Sequence, residues 1–446
     1  MRDLAVLLIF TYGAVLAMRR PYVGALLWVW IGLMNPHRMG WGFAYSFPFA
    51  LIAILIVVVA MLMNSRQVRW PGGGPLVVLT MLLVWMGITT IGAILPQPSA
   101  DRYVEVLKVL GVVLVLAAVV RTREEIVGFV WVVAASMGFF GLKGGFFTLI
   151  TGGSFRVWGP PASAVEGNNE LAVALIMTIP LLYYLAQQSA LSFSLPLVRR
   201  VGGKWLRRGL YATMILSAFA ALGSHSRGAL LAMLAMASML WWRSKSKLTI
   251  GIALVVLAPV LVMFMPSEWF SRMETIQTYE ADASAMGRIN AWTMAINIAN
   301  SRITGAGFAT DSSFIYHMFA PNPNFVIVAH SVYFQILGEH GYIGLALYLL
   351  FWALTLQTST RVIKLAKGLP DGEWAAQLAS MVRVALIGFA VGGAFLSLAY
   401  WDMPFYYMII LMALQRWVKD RLAEEKSHPV GSAPVTQQPA SQLQVN

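Results

Sequence analysis

The chain contains no cysteine in its 446 residues. That excludes a disulfide framework and thiolate metal sites while leaving the compartment open. Charge is scarce as well: 11% of the residues are Asp, Glu, Lys or Arg, against roughly 25% in an ordinary soluble domain. Hydrophobic residues make up 59%. Runs such as Phe47–Met63, Leu76–Leu95, Ile126–Ile150 and Leu248–Met265 have almost no polar face, and they approach or exceed the roughly 20 residues that cross a bilayer as helix. These absences exclude a soluble globular fold and predict an all-α, polytopic transmembrane protein. The formal charge of +13 does not indicate nucleic acid, because most of the basic residues sit between apolar runs, where they orient a membrane chain. No cleavable signal peptide is expected, since Arg19-Arg20 follows the first apolar run where small residues would stand.

Apolar runs read against breakers give thirteen candidate spans: 4–18, 22–34, 47–63, 76–95, 104–120, 126–150, 171–186, 210–222, 228–242, 248–265, 333–357, 383–400 and 404–417. If the first two form a hairpin, twelve spans remain. Loops rich in Lys and Arg then alternate with loops that are not. Arg66/Arg69, Arg121/Arg123, Arg199 to Arg208, Arg243 to Lys247, Arg361 to Lys367 and Arg416 to Lys426 fall on one side, which the positive-inside rule makes cytoplasmic together with the C-terminus. The expected organisation is N-terminal transmembrane helices over 1–150 and a second transmembrane core over 151–426 containing a loop at 266–329. A tail rich in Pro, Ser and Gln, expected to be disordered, follows over 427–446.

The loops of the opposite side carry Arg38, Arg102, Arg156, Arg227, Arg272, Arg288 and Arg302 but no lysine. Charge alone would be met by lysine; a planar fork that grips two oxygens of a phosphate is a property of arginine. Arginine also outnumbers lysine 23 to 9 in the whole chain, which accounts for part of the bias. The 64-residue loop 266–329 exceeds the about 12–15 residues beyond which loops usually carry function. Ser267-Glu-Trp-Phe could cap a short helix. A better helix is predicted from Ser284 to about Asn300, with Ile289, Trp292 and Ile296 as its apolar stripe and Arg288 at the stripe's edge. Such amphipathic helices would lie along the membrane surface, with Arg288 presented either to the spans or to lipid headgroups.

The stretch Pro321-Asn-Pro323-Asn-Phe leads into His330, where the chain re-enters the membrane. An imidazole there could take a proton from a hydroxyl, or could serve as a structural hydrogen-bonder. His340, beside Glu339, is the rival, and its depth favours a buried supporting pair. Thr151-Gly-Gly-Ser-Phe-Arg156 is a glycine-rich loop that could approach an anion, with Asn168-Asn169-Glu170 opening the helix behind it. Gly223-Ser-His225-Ser-Arg227 is a short turn at the membrane boundary. Three arginines converging near one histidine would suit a diphosphate leaving group and a base.

Several of these residues resemble the O-antigen ligase family, the relatives of O-antigen polymerases and protein O-oligosaccharyltransferases. His330-Ser331, nine residues, Gly341, two residues and Gly344 fit the ligase pattern, and Ser226-Arg227-Gly228 resembles the family's Ser-Arg-Gly turn. Gly287-Arg288-Ile-Asn-Ala-Trp292 with Thr304-Gly305-Ala-Gly307-Phe is similar to its loop helix and Gly-x-Gly turn, and Arg156, Gly159 and Asn169-Glu-Leu-Ala complete the likeness across about 150–360. The first third, with Met34-Asn-Pro-His-Arg38, looks like the variant associated with exosortases.

The resemblance implies transfer of an assembled glycan from undecaprenyl diphosphate to a hydroxyl of lipid A-core, at the periplasmic face of a bacterial inner membrane. It implies no cofactor and no metal, with His330 as the base and Arg288, Arg227 and Arg156 on the diphosphate. His340, His225 and Asn169 are secondary candidates. Polymerase or protein O-glycosylation chemistry are alternatives within the family. A lipid-linked glycan flippase is the alternative from another class, for which Glu105, Lys108 and Lys143 are the intramembrane charges. The pair Glu280 and Asp282 is too sparse a set of oxygen ligands to suggest a metal site.

Overall fold

The computed structural model describes residues 2–188, 203–243, 246–248, 251, 252, 255, 259, 270 and 283–427. Among them the regular structure is helical, without a strand. The order is α1 (Arg2–Arg19), α2 (Pro21–Met34), α3 (Phe49–Met63), α4 (Gly74–Ile91), α5 (Pro96–Val119), α6 (Arg123–Ile150) and α7 (Asn168–Gln187), then α8 (Gly203–Leu222) and α9 (Arg227–Arg243). After these come α10 (Ala283–Ser301), α11 (Ser313–Phe319), α12 (Val332–Ala366), α13 (Glu373–Gly392) and α14 (Asp402–Ser427). Each predicted apolar run overlaps one of these helices, except 248–265, which lies largely outside the described residues; the run 383–400 departs most, since its helix spans Glu373–Gly392 and its last residues are not helical. Ser267 to Trp269, Arg272, Glu280, Asp282, Arg199, Arg200 and residues 428–446 lie outside them too. α14 continues through the basic stretch to Ser427, the first residue of the predicted tail.

Among the described residues, five helices are long and apolar enough to cross a bilayer: α4, α6, α7, α12 and α13 extended to Phe395. The protein is an all-α, polytopic membrane protein. Local sequence explains several boundaries. Thr122 and Glu125 form a reciprocal capping box that starts α6. Pro21 begins α2, where its missing N–H costs nothing, and Asn35 in the left-handed region ends it. α7 is the most enclosed span; it packs against α6, α8, α9 and α13.

The packing sorts the connecting segments into two ends. At one, Arg69 pairs with Asp420 at 2.6 Å, Arg121 donates to the Arg66 carbonyl, Arg416 donates to the Arg69 carbonyl, and Arg421 pairs with Asp371 at 3.0 Å. These are the segments that charge assigned to one side. At the other end lie the 92–95 turn, the loops 151–167 and 302–331, and the strap 393–401 between α13 and α14.

The constraint that organises this second end is a break in α12. Gly341 has φ +67° and ψ −170°, so the ladder is interrupted. The carbonyls just before the break lose their partners four residues on, and buried carbonyls need replacements. Ala306 N–H donates to the Gly338 carbonyl at 2.9 Å and Gly307 N–H to the Glu339 carbonyl at 3.0 Å. Trp85 Nε1–H of α4 donates to the His340 carbonyl at 2.9 Å. The loop 303–307 is thereby drawn into contact with α12, and Ala306 in turn accepts from Ile94 N–H at 2.9 Å.

Gly341 can accept no side chain: a Cβ there would lie 2.2 Å from the Ile303 carbonyl oxygen. Its backbone conformation alone is expected to disfavour Gly341→Ala by on the order of 1–3 kcal/mol, with the clash in addition. Thermal unfolding of the purified variant in detergent should show a clearly lowered midpoint; an unchanged midpoint would mean that the break is not required.

Candidate functional site

α10 forms where its pattern predicts it, but it buries a different face. Ile289 and Ile296 are 40% and 38% exposed, and Trp292 is half-buried. The buried face is Gly287, Asn290, Ala291, Met294, Ala295, Ile298 and Ala299. Gly287, Ala291, Ala295 and Ala299 recur every four residues, and small residues let two helices approach closely. α10 uses this face against α12, where Ala295 touches Gly338. Ile289 and Ile296 of the apolar stripe thus face away from the protein, Trp292 packs onto it, and the small residues make the close approach to α12.

The same helix fixes the segment ahead of His330. Asn290 donates through Nδ2 to the carbonyls of Asn322 and Phe325 and accepts from Asn322 N–H. Tyr316 of α11 donates its hydroxyl to the Ile327 carbonyl at 2.5 Å. Trp292 donates Nε1–H to the Ala329 carbonyl at 2.8 Å and stacks on Phe334 with ring centroids 4.8 Å apart. From the other side, His330 N–H donates to Ser397 Oγ at 2.9 Å. Held between Trp292 and Ser397, His330 adopts φ +44°, a left-handed conformation uncommon outside glycine. Its backbone is fixed before any substrate arrives. The following residue, Ser331, is buried at the N-cap position of α12, where its side chain makes no capping hydrogen bond.

The glycine-rich loop and the short turn are stitched together. Val157 N–H donates to the Gly223 carbonyl at 3.1 Å, and Asn168 Nδ2 donates to the Ser224 carbonyl at 2.6 Å. His225, at φ +56°, donates Nε2–H to the Gly153 carbonyl at 2.8 Å, which assigns this imidazole a stapling part. Arg156 and Arg227 are half-buried on these two joined segments, and Asn169 is half-buried at the start of α7. Gly228 packs on Phe395, to whose Cβ an added side chain would come within 2.9 Å. Phe395 lies two residues before Ser397, so the Arg227 turn and His330 meet the same strap.

Arg288 is half-buried, and its charge acts on two groups. It favours the neutral form of His330, whose pKa is lowered from 6.5 by burial first and by Arg288 second. It also acts on Glu170, in the first turn of α7. Glu170, Arg288 and His330 thus form one electrostatic neighbourhood drawn from three separate segments. It offers a neutral imidazole, a guanidinium and a carboxylate at the protein's edge.

His340 lies elsewhere. It is fully buried, with Nδ1 2.7 Å from Thr89 Oγ1 and Nε2 2.8 Å from the Tyr400 hydroxyl. Glu339 lies 3.8 Å from its Nε2. Glu170, Ser397 and Tyr400 are the participants that sequence reasoning passed over. Glu170 adjoins Asn169 and reads as an ordinary acidic first turn, while Ser397 and Tyr400 belong to a strap with no motif. Among the described residues no group of three or more His, Asp or Glu side chains could hold a metal ion.

Residues 212–349 match the family described as O-antigen ligase, and residues 1–190 match a family of unknown function (DUF5935). No curated protein matches the chain. The first of these spans contains Arg227, Arg288, His330 and His340.

Removing the guanidinium should release His330. In Arg288→Gln the imidazolium is no longer repelled, so the His330 titration should move up toward its ordinary 6.5, as followed by NMR of labelled histidine. A histidine neutral in the fold and ordinary when unfolded stabilises the protein above its unfolded pKa and loses that contribution as pH falls below it. Arg288→Gln should accordingly soften the acid side of the stability profile. An unmoved His330 titration would separate the two side chains.

Proposed function

With its residues 212–349 forming a domain of the O-antigen ligase family, the chain acts, we propose, as an O-antigen ligase. It moves an assembled glycan from undecaprenyl diphosphate to a hydroxyl of lipid A-core on the periplasmic side of a bacterial inner membrane. The family implies a lipid-linked glycan and an acceptor in general; the donor, the acceptor and the sidedness are this reading's own. The observation that carries it is the pairing of His330, fixed in a left-handed backbone between Trp292 and Ser397, with Arg288 beside it.

In this mechanism the neutral His330 imidazole accepts the proton of the acceptor hydroxyl. The acceptor oxygen bonds to the anomeric carbon from the face opposite the diphosphate, which inverts that centre. The carbon–oxygen bond to the diphosphate breaks, and undecaprenyl diphosphate departs with the electron pair. Arg288, Arg227 and Arg156 stabilise the charge that accumulates on it, a form of preorganised electrostatics that often dominates catalysis. The sugar–diphosphate bond carries the driving force, so neither nucleotide nor metal is required. Arg156 and Arg227 suit this part because their two segments are joined and reach the strap that holds His330. Polymerisation and protein O-glycosylation use the same donor chemistry and differ in the acceptor. Mass spectrometry of the product distinguishes glycosylated lipid A-core, a lengthened polyprenyl glycan and a glycopeptide.

Purified protein supplied with lipid-linked glycan and lipid A-core should form the ligated product. Loss of a general base commonly costs about 10²–10⁴-fold, so His330→Ala should reduce transfer by at least that order while inserting and melting like the parent. Arg288→Ala should be similarly inactive. Transfer at the parental rate by His330→Ala would sink the base assignment. Flipping of the lipid-linked glycan in vesicles without any transfer would replace ligation with transport.

A further inference from the structure

The buried group beside the kink has a proton count that its hydrogen bonds and its burial together constrain. Thr89, Glu339, His340 and Tyr400 are each at least nine-tenths buried. Thr89 donates its hydroxyl hydrogen to the Met86 carbonyl at 2.9 Å. Its oxygen also lies 2.7 Å from His340 Nδ1, and the imidazole tautomer decides which of the two carries the hydrogen between them. His340 Nε2 faces the Tyr400 hydroxyl at 2.8 Å, and the same hydroxyl contacts Glu339 Oε2. Tyr400 has one hydrogen for these two neighbours.

Three arrangements follow. With an ionised Glu339 and a neutral His340, the Tyr400 hydrogen goes to the carboxylate. Nε2 then either opposes an oxygen lone pair at 2.8 Å or takes the imidazole hydrogen while Thr89 turns from the Met86 carbonyl to Nδ1, and in both cases an uncompensated negative charge sits in the interior, where desolvation is expensive. Adding one proton repairs this in either of two places. On His340 it creates an imidazolium and a carboxylate, two buried ions whose desolvation is expensive. On Glu339 it creates an uncharged chain in which every donor points the same way: Glu339 to Tyr400, Tyr400 to His340 Nε2, His340 Nδ1–H to Thr89, and Thr89 to the Met86 carbonyl. The remaining carboxyl oxygen, Oε1, accepts from Gln335 Nε2 at 3.4 Å. The charges that act on Glu339 from other elements are Arg102 and Asp311, of opposite sign.

We propose that Glu339 is a protonated acid and, with Tyr400 and His340, a positioning group that sets the strap 393–401 and through it His330. The activity side of this rests on the ligase reading above. The strap is pinned at three successive places, one at His330 and two on the first segment of α12. Ser397 accepts from His330 N–H, Ala399 N–H donates to Gln335 Oε1, and Tyr400 joins Glu339 and His340. The far end of the chain, Thr89 and Met86, belongs to α4, so the strap is referenced to a membrane span rather than to a loop. Loss of the Tyr400 contact leaves Ser397, and hence the His330 backbone, less firmly placed.

A carboxamide imitates a protonated acid and not a carboxylate, which provides the test. In Glu339→Gln the amide N–H can donate to Tyr400 and the amide oxygen can accept from Gln335. Transfer should stay within about twofold of the parent. Glu339→Ala and Tyr400→Phe break the chain, and kcat should fall on the order of tenfold to a hundredfold, as small misplacements can cause, while the donor KM stays near the parental value. Infrared spectra of the purified protein should contain a carbonyl band of a buried carboxylic acid that disappears in Glu339→Gln. That comparison needs no substrate, so it decides the protonation even if the parent transfers no glycan. Glu339→Gln as damaging as Glu339→Ala, or spectra of parent and Glu339→Gln with the same acid bands, would overturn the proposal. So would a Tyr400→Phe variant with parental kcat.

Discussion

Three carbonyl groups stranded by the break in α12 dictate how one end of this protein is assembled. A straight helix would satisfy the Gly338, Glu339 and His340 carbonyls within itself and would need nothing from the rest of the chain. Broken at Gly341, it recruits Ala306 N–H, Gly307 N–H and the Trp85 indole. That recruitment draws the loop 303–307 against α12 and holds both to α4 and the 92–95 turn. α10 ends just before this loop, and Arg302 ties the junction to the Gly92 and Gly305 carbonyls. The position of α10, and so of Arg288, is inherited from a backbone defect forty residues further along the chain.

The strap between α13 and α14 is the complementary element. It contacts the Arg227 turn through Phe395 and Gly228, His330 through Ser397, and the buried acid through Tyr400. These groups come from helices far apart in sequence, and nothing joins them locally. A site built this way has little dependence on any one loop's stiffness. Each side chain is located by the intersection of a membrane helix with the strap, a more rigid frame than a 64-residue loop could supply alone.

What was legible in the sequence follows from which forces are local. Membrane helices announce themselves because a bilayer admits few polar side chains, so the apolar runs match helices closely. Gly341 figured in the family pattern with His330 but not as a helix break, whereas the burial of His340 was legible from its depth. The face that α10 buries in the protein, Gly287, Ala291, Ala295 and Ala299, went unnamed because small residues carry little hydrophobic signal beside Ile289, Trp292 and Ile296. Periodicity reports that a helix has two faces; the partner's surface decides which is inside. Glu170 was passed over because its meaning depends on Arg288, more than a hundred residues away, and no local pattern encodes such a meeting. Ser397 and Tyr400 were invisible for the same reason.

If His330 is the base, as proposed, the placement of Arg288 beside it has an apparent disadvantage. A guanidinium lowers the proton affinity of the imidazole it adjoins, and a weaker base accepts a hydroxyl proton less readily. On the ligase reading, the donor resolves this. An arriving diphosphate brings negative charge to Arg288 and offsets its field at His330. The imidazole stays neutral in the empty site, with no proton to shed before it can act, and gains basicity when the leaving group is bound beside it. A base tuned in this way is strongest in the complex where the acceptor proton has to be taken, and the arginine that prepares the leaving group is also the one that times the base.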